Sequence, residues 1–230
     1  MIVSVHQPQY IPWIGYFDKI DKSDIFVFLD DVQYKKREWQ NRNRIKTPDG
    51  LQWLTVPVKH NDNDPINRVL IQNESSYIND HILGIELNYK KAKYFNEYKN
   101  IIFDAVLKKH EKLSDLNISL IEVIIRILGI EKNVILSSSL NIETMKTDRI
   151  IDICKALDAD VYLSGEGARD YLQPEKFSAN NIRLTYQRFS HPVYAQLFGE
   201  FLPFASIIDM IFNMGADTLR LIREANTYKV

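Results

Sequence analysis

Residues 3–40 constrain the fold more than any other stretch, because strand, rigid loop, short helix and second strand follow one another without a spacer. The apolar run Met1 to Val5 suits a buried strand and is too short for a targeting segment. His6, Gln7, Pro8, Tyr10, Pro12, Trp13, Gly15 and Tyr16 then crowd into a loop whose two prolines and glycine predict a fixed shape. Ile14, Phe17 and Ile20 mark a short helix, and residues 25–29 (IFVFL) a second buried strand that runs into Asp30 and Asp31. This is a βαβ unit with its polar groups at the carboxyl ends of the strands, where open parallel sheets bind ligands.

The rest of the chain fits that frame. Its 230 residues suit one α/β domain spanning 1–230, with residues 77–129 as a helical insertion or subdomain. Further strands are expected over 51–58, 68–71, 132–136, 159–163 and 182–187. Three apolar stripes at helical spacing fill the insertion: Tyr77 to Leu87, Tyr94 to Val106 and Leu116 to Leu128, with Ser114 as a cap and Gly129 as a stop. The expected fold is a mostly parallel sheet of about five strands with helices on both faces.

A net charge of −1 gives no footprint for nucleic acid, and no apolar run is long enough to span a bilayer. The single cysteine, Cys154, excludes an internal disulfide and, mid-helix among aliphatics, suits packing better than nucleophilic chemistry. His81 and His110 have no ligand-spaced partner, so no metal site is expected. These features point to a cytoplasmic protein without membrane insertion.

Four stretches carry candidate site residues. In the first loop these are His6, as acid/base, with Gln7, Tyr10, Trp13 and Tyr16. After Asp30 and Asp31, candidates to orient an amine or hold magnesium, come Gln33 and a basic run containing Arg37, Asn41, Arg42 and Asn43. Residues 45–50 are then expected to form a turn. Lys146, Thr147 and Arg149 stand at a helix start, with Thr147 or Asp148 as the cap; cations there make sense if an anion approaches. Ser164, Gly165, Gly167 and Tyr171 belong to a loop whose backbone N–H groups suit an anion, and His191, Tyr194 and Gln196 to a polar loop near the end.

Five strings, HQPxYxPWxGYFxKI (6–20), NRNRIK (41–46), the Ser138–Ser139 pair with Lys146, Thr147 and Arg149, YLSGxGAxxYL (162–172), and HPxYxQ with FxPxxSIIDxxFNxG (191–215), run in order along the chain. Together they resemble the WbqC-like family. That resemblance implies work in O-antigen or other lipopolysaccharide biosynthesis: an acyltransferase or ligase attaching a small acyl or aminoacyl group to the amine of a nucleotide-linked amino sugar. Its partners would be that sugar nucleotide and a small donor, activated by ATP with magnesium or supplied as a thioester. A glycosyl or nucleotidyl transferase on a similar sugar nucleotide, or a non-catalytic binding protein of the pathway, are the alternatives. The first βαβ unit is also similar to the HxGH opening of nucleotidylyltransferase-like (HUP-like) folds, with Tyr16 at the second histidine's place. Fold and family leave the sugar, the donor and the oligomeric state open.

Overall fold

The computed structural model describes residues 1–228 and Val230. In chain order the strands are β1 (Ile2–His6), β2 (Ile25–Phe28), β3 (Arg42–Thr47), β4 (Gly50–Thr55), β5 (Val58–Lys59), β6 (Leu70–Ile71), β7 (Asn133–Leu136), β8 (Val161–Ser164) and β9 (Arg183–Tyr186). The helices are α1 (Ile14–Asp21), α2 (Tyr77–Tyr89), α3 (Phe95–Leu107), α4 (Leu113–Leu128), α5 (Lys146–Ala156), α6 (Pro174–Ala179), α7 (Ile207–Met214) and α8 (Asp217–Ala225).

Five strands form one parallel sheet in the order β7-β2-β1-β8-β9. Strand alternation divides the core in two. Phe26 and Phe28 face one way, with Ile14, Phe17 and Ile20 of α1, the α2–α4 helices and α7–α8. Val3, Val5 and Val27 face the other, with Ile150, Ile151, Ile153 and Cys154 of α5 and Phe177 of α6. This is the α/β architecture expected, with helices on both faces, a Rossmann-like strand order and HUP-like first unit. The order reverses between β1 and β8, so the crevice outside their carboxyl ends is the switch point.

The insertion forms its three helices because each presents an apolar stripe. On α2 the buried residues Tyr77, His81, Ile85 and Tyr89 recur every four positions, and α4 stops at Gly129, whose left-handed backbone favours glycine. Ser114 lies inside α4, bonded to Asp115, and Lys112 takes the cap position.

Residues 45–50 differ from expectation. Arg42 to Thr47 are strand, paired antiparallel with β4 from Arg42–Thr55 to Thr47–Gly50, and only Pro48 and Asp49 turn. The buried side of β3 carries Asn43 and Ile45, and its asparagine hid the alternation. Helix α5 begins at Lys146 with Met145 as N-cap. Thr147 is buried inside it, and Asp148 pairs with Lys176 at 2.7 Å instead of capping.

Candidate functional site

A cavity of about 630 Å³ opens at the switch point. The end of β1 gives it His6, the N-cap and first turn of α1 give Trp13, Gly15 and Tyr16, and the last turn of α1 gives Lys19. The turn after β8 adds Gly165, Glu166, Gly167 and Arg169, and the segment after β9 adds Gln187 to Ser190. A second cavity, about 300 Å³, lies toward α5 and shares His6; Gln7, Lys35, Lys146, Arg149 and Tyr171 are among its walls.

The loop between β1 and α1 is fixed by polar residues from elsewhere. Asn43 donates to the carbonyls of Tyr10 (3.2 Å) and Ile11 (2.8 Å), and Asn117 of α4 to those of Pro8 (3.1 Å) and Gln40 (2.7 Å). Gln40 in turn holds the Gln7 side chain at 2.8 Å. Trp13 lies flat over Gly15: a Cβ there would stand 2.3 Å from a ring carbon, so only glycine admits this wall.

His6 stacks edge-on against Tyr16, and its Nδ1 is 3.1 Å from the Gln7 carbonyl oxygen. A carbonyl only accepts, so Nδ1 carries the proton and Nε2 keeps its lone pair. Burial, reinforced by the Lys19 charge, lowers its pKa to about 3. Lys19 is 2% exposed and, among the described residues, donates only to the Val5 carbonyl, at 3.3 Å. A Cβ on Gly165 would lie 3.8 Å from Lys19 Nζ, which sets the ammonium against the turn after β8. Burial lowers its pKa to about 7. Arg169 grips Glu166 through two bonds of 2.6 and 2.9 Å and covers the Tyr186 ring at 4.1 Å, with the exposed Arg188 beside it. Among the described residues neither Lys19 nor Arg188 has a carboxylate partner. The N-cap of α1 makes no side-chain hydrogen bond, so its first-turn N–H groups add to this positive field.

The expected site residues divide accordingly. His6, Trp13, Tyr16, Gly165 and Gly167 line the larger cavity; His6, Gln7, Lys146, Arg149 and Tyr171 line the smaller. Asp30 and Asp31 line neither. Asp30 is buried, accepting from Ser138 (backbone 3.0 Å, hydroxyl 2.7 Å), Ser137 and Asn67, and Asp31 pairs with Arg149. Both carboxylates tie the ends of β2 and β7 to α5, and no group of three potential metal ligands occurs among the described residues.

The other expected contacts are occupied within the fold. Tyr10 is buried against His81 at 2.8 Å, and Gln33 bonds Asn63 at 2.8 Å. Asn41 bonds the Val56 carbonyl at 2.9 Å, while Arg42 stacks on Trp53 and bonds the carbonyl of Arg37, itself exposed. Ser164 is buried with its hydroxyl 3.2 Å from the Gly165 carbonyl. Tyr194 and Gln196 hold the buried Asp209 at 2.8 and 3.0 Å, with Tyr89 at 2.8 Å. His191 accepts from the Phe204 N–H at 3.2 Å.

Lys19, Arg169, Gln187 and Arg188 were not anticipated. For Lys19 the apolar stripe in the sequence carried no signal. Residues 14–20 of α1 are all buried, so the helix is covered on every side and any charged residue in it must be desolvated.

Strand order and crevice define the class: a Rossmann-like α/β protein with a cationic cavity at its switch point. The chain matches the WbqC-like protein family over residues 7–221 and belongs to it. It is 39% identical over 229 residues to "Uncharacterized protein Rv1507c" of Mycobacterium tuberculosis (strain ATCC 25618 / H37Rv), an alignment covering 96% of this chain and 99% of that one. No solved structure matches the chain. No helix among the described residues is long and apolar enough to cross a membrane.

Proposed function

We propose that the protein transfers a small acyl or aminoacyl group to the amine of a nucleotide-linked amino sugar, with the sugar nucleotide in the larger cavity. The observation that carries this reading is the convergence of Lys19, Arg188 and the uncapped start of α1 on one cavity large enough for such a ligand. A diphosphate would satisfy the unspent donors of Lys19 and complement the helix dipole. Family membership supports surface-polysaccharide biosynthesis as the setting.

An amine attacking a carbonyl forms the new C–N bond, expels the donor's leaving group and must lose a proton. His6 Nε2 is the acceptor in this reading. At a pKa of about 3 the imidazole is a weak base in the empty site. A diphosphate beside Lys19 offsets the cation that contributes to this depression, so binding raises the basicity of His6. Among the described residues no serine or cysteine of the cavity wall is hydrogen-bonded to a histidine as a nucleophile would be, and Cys154 is buried elsewhere, its thiol pushed up to about 12 by burial. Direct transfer is therefore favoured over an acyl-enzyme.

The test is product mass. Purified protein is given nucleotide-linked amino sugars with either acyl thioesters or amino acids plus ATP. An N-acylated sugar nucleotide is expected, with free thiol or pyrophosphate identifying the donor. No product from either donor class, with no thermal shift from any sugar nucleotide, would sink the reading.

A further inference from the structure

The smaller cavity is built differently from the larger one. Its floor is apolar, with Val5, Leu29, Val32, Ile150 and Leu172, while its charged walls are Lys35, Lys146 and Arg149. Among the described residues no carboxylate side chain lines it. Its volume of about 300 Å³ sits at the bottom of the range for ligand cavities, too small for a sugar nucleotide.

Arg149 supplies a second observation. The residue is 9% exposed, and its Nη atoms are used, one on Asp31 and one on the Thr144 carbonyl at 3.3 Å. Its Nε is buried without a hydrogen-bond partner among the described residues. A guanidinium has five donors, and leaving one dry is costly unless a ligand meets it. Lys35 and Lys146 are exposed, and no carboxylate holds Lys146 among the described residues. An apolar floor beneath an under-satisfied arginine and two free-headed lysines suits an amphiphile with a short apolar body and one anionic end.

We propose that this cavity binds the carboxylate end of a short, apolar-bodied acid. Naming that acid as the group to be transferred rests on the reaction proposed above. His6, at the end of β1, lines both cavities. A carboxylate held in the smaller one and activated by ATP as an acyl-adenylate, with release of pyrophosphate, would therefore stand beside an amine in the larger. That amine forms the C–N bond and displaces AMP.

The test is saturation-transfer NMR with isovalerate, using its uncharged amide isovaleramide as control. Isovalerate is expected to bind and the amide to bind about tenfold more weakly or worse. Lys35→Glu and Lys146→Glu alter exposed side chains, so folding should survive, and each should weaken isovalerate about tenfold. Arg188→Ala, in the other cavity, should leave it unchanged. No isovalerate signal, equal binding of acid and amide, or unchanged affinity in both lysine variants would overturn the assignment. Carboxylate binding without acyl transfer would leave this cavity assigned and remove only the proposed reaction.

Discussion

Two basic regions of the molecule differ in what their cations do. In the β3–β4 hairpin, Arg42 lies 4.2 Å above the Trp53 ring, and Arg44 lies about 5 Å from both Trp39 and Trp53. These guanidiniums cover tryptophan faces and brace the hairpin. At the switch point, Lys19 is buried with one bond to a carbonyl, and no carboxylate partner holds it among the described residues. The hairpin has the denser positive sequence, yet the crevice keeps its charge unspent. Cations mark a binding site when their donors face space, and only the tertiary fold decides that.

The largest expected effect separates the two regions at once. Lys19→Met should weaken inorganic pyrophosphate binding by about 1.5–3 kcal/mol, roughly tenfold to a hundredfold, through loss of a charge-assisted contact. The same change should raise thermal stability, because it removes a desolvated ammonium and keeps the packing. The sign follows from the depressed pKa of Lys19. The unfolded chain binds more protons between about pH 7 and 10.5, so wild-type stability rises with pH there, and the penalty is full below pH 7. Lys19→Met is thus most stabilising at pH 7 and below. Calorimetry and melting curves check both halves; tighter pyrophosphate binding in the variant would refute the crevice assignment.

Gly15→Ala comes next. The new methyl would meet the Trp13 ring at 2.3 Å, and overpacking of this kind costs about 1–3 kcal/mol. Trp13 should swing from the cavity wall, which indole fluorescence and lost pyrophosphate affinity would register. An alanine variant with wild-type melting and affinity would mean that this tryptophan does not shape the cavity.

Much of this frame was legible in the chain. The strands of the parallel sheet announce themselves as short apolar runs, and α2–α4 as stripes, because burial selects side chains at fixed periods. The polar contents of the fold were less so. Asn43 and Asn117 look like ligand donors by type, yet both are spent on backbone carbonyls, those of the loop between β1 and α1 among them. Asp30 and Asp31 end a strand as a catalytic pair would, and they serve the serine turn after β7 and Arg149. Such partners lie 32 to 118 residues away, and no local pattern encodes them. Lys19 was overlooked for a related reason: the stripe Ile14, Phe17, Ile20 predicts one buried face, whereas α1 is enclosed on all of them.

A smaller effect comes from pH. Lys19, with its pKa of about 7, is half charged at neutrality when the cavity is empty, and a bound anion raises that value. Pyrophosphate affinity should therefore fall as pH rises above about 7, by up to about tenfold per unit, and more steeply than in Lys19→Met, measured by calorimetry across pH. A pH profile of affinity identical in wild type and Lys19→Met would place the anion away from Lys19.

The smallest effect returns to the hairpin. Arg42→Ala removes a guanidinium from an exposed tryptophan face, and such contacts are worth about 0.5–1 kcal/mol at exposed sites. Melting temperature should fall slightly. Pyrophosphate affinity should stay within error of wild type, since Arg42 lines neither cavity at the end of β1. A loss of affinity as large as that of Lys19→Met would abolish the distinction drawn between the two basic regions. It would mean that the hairpin reaches the ligand, and that stacking on Trp53 holds Arg42 ready for it.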